Sequence, residues 1–495
     1  MKLTRLLLPR IEYVILAAIF WGIAASGPKL LNADGDLPRH LLVGNLILET
    51  RSVPTIDEFS FRTTGKPSIP HEWLAQVIFA AFYNMLGLNG VVLLTALLAT
   101  AVFALVYRSA IQGSSSLFAA LIFTGLAVSA SMIHILPRPH LFTYLLLSGW
   151  IMLLEQMRKG RSRAWWALPA VMLLWVNLHG MFVLGIIAWL IYLAGSFLDN
   201  PDGAWLRRSK VKNLLAGGLL SLPVTLLSPS GSGIWKTIFS LGSNSYITSR
   251  ISEYQPANFH QPATWPFVLL LILVMIGLSR VTQKLSWSHT LLLACFAAMA
   301  LYTSRMLPLF AITAAPIAAE IYANWMRNAK HLKNLSALET RVQQVERSTS
   351  GILWLIAIFS LVVLLFASGQ SIDAEKKGNV FDSEFFPVDA AAWLKSNPQN
   401  DRMFNAFDWG GYLLFELWPD QQIFMDGHTH IYGEALTREY EQVITLDKGW
   451  EEILGKYQVQ LVIMPEDSEL VRQLESQADW QVIYADSTTV ILQRR

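Results

Sequence analysis

The feature that most constrains this chain is its succession of apolar segments, each about as long as a membrane-spanning helix. A helix needs roughly 20 mainly apolar residues to cross the ~30 Å hydrocarbon core of a bilayer. Only 15% of the 495 residues are charged, against about a quarter in an average soluble domain. We therefore predict a polytopic α-helical membrane protein with about eleven transmembrane helices, at residues 11–28, 89–108, 115–135, 140–157, 164–178, 180–198, 212–228, 264–280, 286–303, 306–323 and 351–368.

The distribution of Lys and Arg orients these spans. With the N-terminus in the cytoplasm, the cytoplasmic loops carry most of the basic residues, as the positive-inside rule requires. Residues 71–87 are apolar enough to span, but a span there would reverse this bias in every later loop. We therefore predict that they form an interfacial or re-entrant helix, separated from the next span by Gly87 and Gly90. Residues 369–495 then lie outside.

Bulk properties exclude some other classes. The formal net charge of +2 gives no indication of a nucleic-acid partner, and the single Cys295 allows no intrachain disulfide. Lys2, Arg5 and Arg10 precede the first apolar segment as in a signal peptide, but no A-x-A-like cleavage site follows. We therefore predict that this segment is retained as the first span.

Polar and ionisable residues gather at the outer ends of the predicted spans. Such groups are costly at membrane depth and usually face a cavity or one another. Any one of them could be an ordinary interfacial group, but short turns do not require Arg-x-His or Asn-x-His between apolar walls. We predict that the set lines one polar cavity that opens outward. Its members are Asp34, Asp36, His40, His71, Glu72, Arg138, His140, Asn177, His179, Arg250, Glu253, Tyr254, His260 and Arg305.

The positions of Asp34, Asp36 and His40 also have a possible local explanation in terms of helix structure. Asp36 can N-cap a helix that begins at Leu37, and Pro38 suits its first turn. Asp36 and His40 then lie about one turn apart on the same side. The pattern predicts a short amphipathic helix along the outer membrane surface. A cap explains one aspartate, but not Asp34 and His40 beside the first span.

Residues 369–495 differ in character from the rest. Strand-like runs (RMFNA, QQIFMD, VQLVIMP, WQVIYAD and TTVILQR) alternate with helical stretches, which predicts a small α/β domain. Asp426, His428 and His430 could form a metal site, but no third ligand is placed by spacing, and we favour a packed loop. The predicted domains are residues 1–368, with outer loops 28–88 and 229–263, and an extracytoplasmic domain at 369–495.

Several motifs together resemble the GT-C superfamily of integral-membrane glycosyltransferases, and more closely a bacterial branch of it. The resemblance covers nearly the whole chain. It begins with a D-x-D-x-x-x-H-x-x-x-G start at Asp34 and a P-x-x-D-x-F-S segment at Pro54. An H-E-W-L helix start at His71 and an N-x-H-G turn at Asn177 follow. Trp409 to Tyr412 (W-G-G-Y) and Met425 to Gly427 (M-D-G) complete the pattern.

The resemblance implies a function and roles for individual residues. Members of the superfamily transfer a sugar from a polyprenyl-phosphate donor, with an aspartate of the first outer loop as base or acceptor-orienting group. By position this is Asp36, with Asp34 second. Arg138 and Arg305, with His140 or His179, are candidates for the phosphate. Some members bind a divalent cation near these acids and others bind none, so the cofactor is left open.

The implied partners are a polyprenyl-phosphate-linked sugar, a lipid, glycan or protein acceptor, and membrane lipids, with no nucleic acid. The implied location is the bacterial plasma membrane. Two other functions fit parts of the pattern. A lipid-linked-sugar transporter or flippase usually shows polar or broken helices at mid-membrane. In this chain most polar residues lie at one surface, and the spans themselves are largely apolar. A catalytically inactive scaffold would use the C-terminal domain to recruit a partner.

Overall fold

The chain is predominantly helical. The computed structural model describes residues 8–161, 163–202, 205–280, 284–329, 332–373 and 377–495. Lys2, Arg5 and Lys330, which belong to the basic residues used above to orient the spans, lie outside these residues. The first helices are α1 (Ile11–Ala25), α2 (Gly27–Leu31), α3 (Asp36–Thr50), α4 (Trp73–Leu86), α5 (Leu88–Ser114), α6 (Leu117–Ser131), α7 (His140–Arg158), α8 (Ala167–Leu178) and α9 (Val183–Leu198).

The bundle continues with a second series of helices. These are α10 (Ser209–Val224), α11 (Gly233–Ser243), α12 (Ser245–Thr248), α13 (Trp265–Arg280), α14 (Trp287–Tyr302), α15 (Leu307–Asn328), α16 (Lys333–Ser348) and α17 (Ile352–Ala367). Each predicted span coincides with one helix, and the predicted fold class is confirmed. Within the described residues, five helices are individually long and apolar enough to cross a membrane, or six if the bent pair α16–α17 is one span.

Helices α5 and α15 form the centre of the bundle. They pack against each other and against α6, and their inward faces are rich in Ala, Val and Leu. Helix α4, the predicted interfacial segment, ends at Leu86, and Gly87 separates it from α5 as expected, whereas Gly90 lies within α5. It packs along α3, which is therefore covered by protein on this side.

The C-terminal part folds around a four-stranded sheet. The elements are α18 (Val388–Ser396), β1 (Arg402–Asn405), α19 (Gly410–Leu417), α20 (Thr429–Ile444), α21 (Trp450–Lys456), β2 (Val459–Pro465), α22 (Glu469–Glu475), β3 (Trp480–Ala485) and β4 (Thr489–Arg494). The strand order is β1-β2-β4-β3; β1 and β2 are parallel, whereas β4 is antiparallel to both β2 and β3.

One predicted strand is absent from this sheet. Residues 421–426 form only one isolated bridge, from Ile423 to Ser60 of the first outer loop, and bend at Phe424. The Asn405 side chain satisfies its backbone, accepting from the Phe424 amide and donating to the Met425 carbonyl, each at 2.8 Å. A side chain therefore replaces the strand ladder that the apolar pattern predicted.

The C-terminal part packs directly on the first outer loop. Leu42, Val43 and Ile47 of α3 belong to the same buried apolar cluster as Leu413 of α19 and the sheet residues. The predicted surface helix α3 therefore lies between α4 and α19. We call this end of the bundle the carboxylate end, after the site described next. Helix α16 lies at the opposite end, where Glu339 accepts a hydrogen bond from Ser116 at 2.6 Å.

Candidate active site

The two aspartates of the first outer loop lie at the start of α3. The helix begins at Asp36, not Leu37, and Gly35 occupies the cap position, so the predicted N-cap role of Asp36 is wrong. Asp34 Oδ1 instead accepts a hydrogen bond from the Asp36 amide at 3.3 Å. This local turn leaves the Asp36 carboxylate for a partner elsewhere in the chain.

Arg138, in the turn before α7, is that partner and joins three carboxylates. Its Nε lies 3.0 Å from Asp34 Oδ2, its Nη2 donates to Asp36 Oδ2, and its Nη1 lies 3.6 Å from Glu253 Oε2. The Asp34 side chain is 16% exposed and that of Asp36 is 25% exposed. These charges are partly desolvated and therefore interact more strongly than a surface pair.

Arg305 extends the cluster on the far side of Glu253. Its Nη1 lies 3.0 Å from Glu253 Oε1 and donates to the Tyr254 hydroxyl at 3.0 Å. Its Nη2 lies 3.4 Å from His179 Nε2. The backbone carbonyl of Glu253 accepts from the Thr303 hydroxyl at 2.7 Å, which ties this loop to the end of α14. The Arg305 guanidinium is thus held in position before any ligand binds.

Two histidines and Glu72 complete the contacts. His179 Nε2 lies 3.4 Å from Glu72 Oε1, and the other ring nitrogen of His179 is 2.8 Å from the Thr143 hydroxyl. His71 Nε2 lies 3.8 Å from Glu72 Oε1. Side chains from widely separated parts of the sequence therefore meet at one level, beneath the C-terminal domain.

Burial changes the pKa of Asp34, and the excess of carboxylates over guanidinium groups in this cluster adds to the effect. Burial, reinforced by the charge of Asp36 and opposed by Arg138, raises the pKa of Asp34 to about 7. Glu253 behaves differently. Burial opposes its ionisation, but Arg305 and Arg138 lower its pKa to about 2. At neutral pH Glu253 is ionised, whereas Asp34 exchanges its proton within the neutral range.

The C-terminal domain closes over the aspartates through glycines. A Cβ atom on Gly427 would collide with the Asp36 carboxylate, and one on Gly35 would collide with the Asp408 carbonyl. Only glycine permits such close approach. The W-G-G-Y and M-D-G motifs therefore border the candidate site.

An ion pair missed in the sequence holds this contact together. Arg39, one turn after Asp36, donates to Asp426, and its Nη2 lies 3.8 Å from Asp57 Oδ1. The Asp426 side chain is fully buried and that of Arg39 is 7% exposed. All three residues lie within or beside the motifs quoted above. Their position in these motifs could have marked them in the sequence as candidate site residues. It did not indicate which of them would pair.

Three predicted site residues have partners outside the cluster. His40 Nδ1 lies 3.2 Å from the Gln76 amide nitrogen. The ring of His140 contacts the His134 carbonyl at 2.7 Å. The Asn177 side chain accepts from the Trp73 indole at 2.8 Å and donates to two backbone carbonyls. Each of these contacts satisfies a buried polar group and holds neighbouring segments together.

Three imidazoles meet beside the cluster, between α4 and the C-terminal domain. The ring of His430 lies 3.9 Å from that of His428 and 5.1 Å from that of His71, centre to centre. Burial lowers the pKa of both His428 and His430, which keeps them neutral. Among the described residues, no three His, Cys, Asp or Glu side chains are arranged to hold a metal ion, so we assign none of these residues to one.

Known structures share this architecture. The chain is similar to the archaeal oligosaccharyltransferase AglB from Archaeoglobus fulgidus in complex with an inhibitory peptide and a dolichol-phosphate. The TM-score is 0.59 and the identity 12%, over 92% of this chain and 69% of the other. It is also similar to ArnT from Cupriavidus metallidurans bound to undecaprenyl phosphate, with a TM-score of 0.51 and 13% identity over 97% of both chains.

The apo state of the same ArnT gives a TM-score of 0.53 at 14% identity. No family model and no curated protein sequence matches the chain. The chain therefore has the fold of AglB and ArnT, and the architecture that the motifs predicted is confirmed at the level of the fold. The chain is a multi-pass membrane protein of this architecture.

Proposed function

We propose that the protein is a glycosyltransferase that moves a sugar from a polyprenyl-phosphate donor to an acceptor at the carboxylate end of the bundle. One observation carries the proposal: Asp34 and Asp36 converge on Arg138, next to Arg305, in a partly buried cluster of a GT-C fold. By the positive-inside rule this end is extracytoplasmic, and the membrane we propose is the bacterial plasma membrane.

The reaction uses the aspartates and the arginines in different ways. The acceptor oxygen or nitrogen attacks the anomeric carbon as the bond from that carbon to the phosphate oxygen breaks. Asp36 takes the acceptor proton, or orients the acceptor so that the proton can leave. The electron pair goes to the phosphate, which departs as polyprenyl phosphate. Arg305, already fixed by Glu253 and Tyr254, stabilises the charge that develops on it.

Arg138 has a supporting task in this scheme. It neutralises the aspartates and keeps their carboxylates within reach of one another. His71, Glu72 and His179 supply polar groups around the same space, and the loop of Gly427 limits its size. The acceptor therefore contacts both the membrane bundle and the C-terminal domain. The proposed acceptor is a lipid, a glycan or a protein segment.

The defining experiment follows the product common to all such donors. Purified full-length protein in liposomes is incubated with a panel of undecaprenyl-phosphate monosaccharides and a membrane extract as the source of acceptor. Release of undecaprenyl phosphate together with a glycosylated acceptor supports the proposal. Movement of an unchanged lipid-linked sugar between leaflets would identify a flippase. If every donor is neither consumed nor moved, the inactive scaffold is the better explanation.

The raised pKa of Asp34 predicts a specific pH dependence. As pH rises through about 7, Asp34 loses its proton. The added negative charge strengthens the pair as a base and stabilises an oxocarbenium-like transition state, so kcat should rise. The same charge repels the donor phosphate, so the donor KM should rise too. Steady-state kinetics between pH 5.5 and about 8.5 measure both, and Asp34→Asn should remove both changes.

We expect Arg305 to contribute to the affinity for the lipid phosphate. Arg305→Gln should weaken binding of undecaprenyl phosphate about tenfold or more, since hydrogen bonds to charged groups contribute about 1.5–3 kcal/mol. The matched control is Lys236→Gln, which removes an exposed cation near the same end of the bundle. Fluorescence or thermophoresis titrations in detergent measure both variants. Equal affinities for the two variants would contradict the assignment of Arg305.

A further inference from the structure

Two adjoining cavities lie at the opposite end of the bundle from the carboxylate cluster. They share His289 and Glu320, and α7, α14 and α15 contribute to both. The more polar of the two encloses about 290 Å³. Nothing in the proposed transfer reaction uses this end of the molecule.

Part of the charge in these cavities is satisfied internally. Glu155 of α7 accepts from Arg158 at 2.7 Å and lies 2.9 Å from the Lys159 ammonium. The same carboxylate lies 3.2 Å from His289 Nε2 and accepts from the Tyr192 hydroxyl at 3.3 Å. Glu155 and its cations therefore form a closed network that is not available to a ligand.

Four other charges on the polar cavity have no ion-pair partner in the part of the chain that the structure describes. Arg280 at the end of α13, Lys284 before α14 and Glu320 of α15 form no ion pair with any other described residue. Asp199, after α9, forms none either, but its Oδ1 accepts a hydrogen bond from the Trp287 amide at 3.1 Å. Glu320 lies about 12 Å along the helix axis from the end of α15. An ionised side chain at that depth normally has a partner. The cavity thus presents two exposed cations and two half-buried carboxylates to a ligand, and of the carboxylates only Asp199 already accepts a hydrogen bond.

The second cavity supplies an apolar wall beside these charges. Its lining includes Val106, Ile151, Leu292, Ile312 and Ile317. An amphiphile with an apolar chain and a headgroup that carries both a positive and a negative charge matches this combination. Basic pockets between transmembrane helices are known to take lipid headgroups.

We propose that this pair of cavities binds a phospholipid whose headgroup carries a phosphodiester and a primary ammonium, as in phosphatidylethanolamine. Arg280 and Lys284 bind the phosphodiester, and the ammonium donates hydrogen bonds to Glu320. A trimethylammonium group has no N–H to donate, so phosphatidylcholine leaves Glu320 unsatisfied. Phosphatidylglycerol places no positive charge near Glu320. The site therefore selects the aminophospholipid.

Native mass spectrometry of the delipidated full-length protein tests this selection. The probes are dioleoyl phosphatidylethanolamine, phosphatidylcholine and phosphatidylglycerol, each added at equal concentration, and soluble glycerophosphoethanolamine. We expect phosphatidylethanolamine to be retained about tenfold better than phosphatidylcholine, the factor expected for one charge-assisted hydrogen bond. Glu320→Gln should abolish this preference, and Arg280→Gln with Lys284→Gln should reduce retention of every lipid.

The control is Arg341→Gln, an exposed cation of α16 at the same end of the bundle, which should retain lipid like the wild type. Thermal unfolding confirms that each variant is folded. Equal retention of the ethanolamine and choline lipids by the wild type would overturn the proposal, as would a preference for phosphatidylglycerol. Competition by glycerophosphoethanolamine as strong as that of the lipid would show a site for a soluble ester and reject the lipid.

Discussion

Asp36→Asn should lower the rate of sugar transfer by about 10²- to 10⁴-fold, the usual contribution of a positioned acid or base. The amide keeps the size of the carboxylate and can still accept from Arg138, so the cluster should remain assembled. The substitution also removes a charge that repels Asp34. We therefore expect a folded protein that binds undecaprenyl phosphate at least as well as wild type but turns over slowly.

The matched control is Glu58→Gln, which neutralises an exposed carboxylate of the same outer loop. Its transfer rate should equal that of the wild type. Release of undecaprenyl phosphate from the donor, measured in liposomes, compares the variants. Turnover of Asp36→Asn at the rate of this control would remove Asp36 from the mechanism, whatever the fold.

Arg39→Ala should cost about 3–5 kcal/mol of the free energy of unfolding, because it leaves buried Asp426 without its counter-ion. The effect should be local as well as global. Without the pair, the C-terminal domain loses a main polar tie to α3, and the segment before α18 should become sensitive to protease. Denaturant unfolding followed by Trp fluorescence and limited proteolysis of the full chain measure the two effects.

Two comparison variants separate this ion pair from a general loss of charge. Arg494→Ala breaks an exposed pair with Asp479 and should cost only about 0–1 kcal/mol. Arg39→Met combined with Asp426→Leu removes both charges and should be more stable than Arg39→Ala alone, because no buried charge is left unpaired. If the double variant is as unstable as the single one, lost packing and not charge explains the effect.

The transmembrane architecture could be predicted from sequence because one strong force dominates it. Long apolar segments must enter the bilayer, and in the bilayer the backbone has to bond to itself as helix. The helices near residues 88–114 and 307–328 follow directly from this. Residues 421–426 show where the apolar pattern of the sequence fails to predict the structure. They are apolar enough for a strand, but the Asn405 side chain takes their backbone bonds.

The sequence predicted at which end of the bundle the candidate site lies, but not which of its side chains contact one another. Charge bias and span order place Asp36, Arg138 and Arg305 at the same end of the bundle, and the structure brings them together. The pairing of side chains could not be predicted in this way, because it depends on the packing of whole helices. No local rule indicates that Arg39 would meet Asp426, or that Asn177 would bind the Trp73 indole.

The separation of Arg39 and Asp426 along the chain has a consequence for biogenesis. They lie 387 residues apart, so the ribosome has made most of the protein before the pair can form. Until then the guanidinium and the neighbouring Asp57 stay hydrated on an unfinished loop. Contacts of such long range form late, and the nascent chain reaches its final arrangement only after its last quarter has been synthesised. Premature termination anywhere upstream would thus leave a membrane-inserted but open precursor, a natural substrate for quality-control proteases.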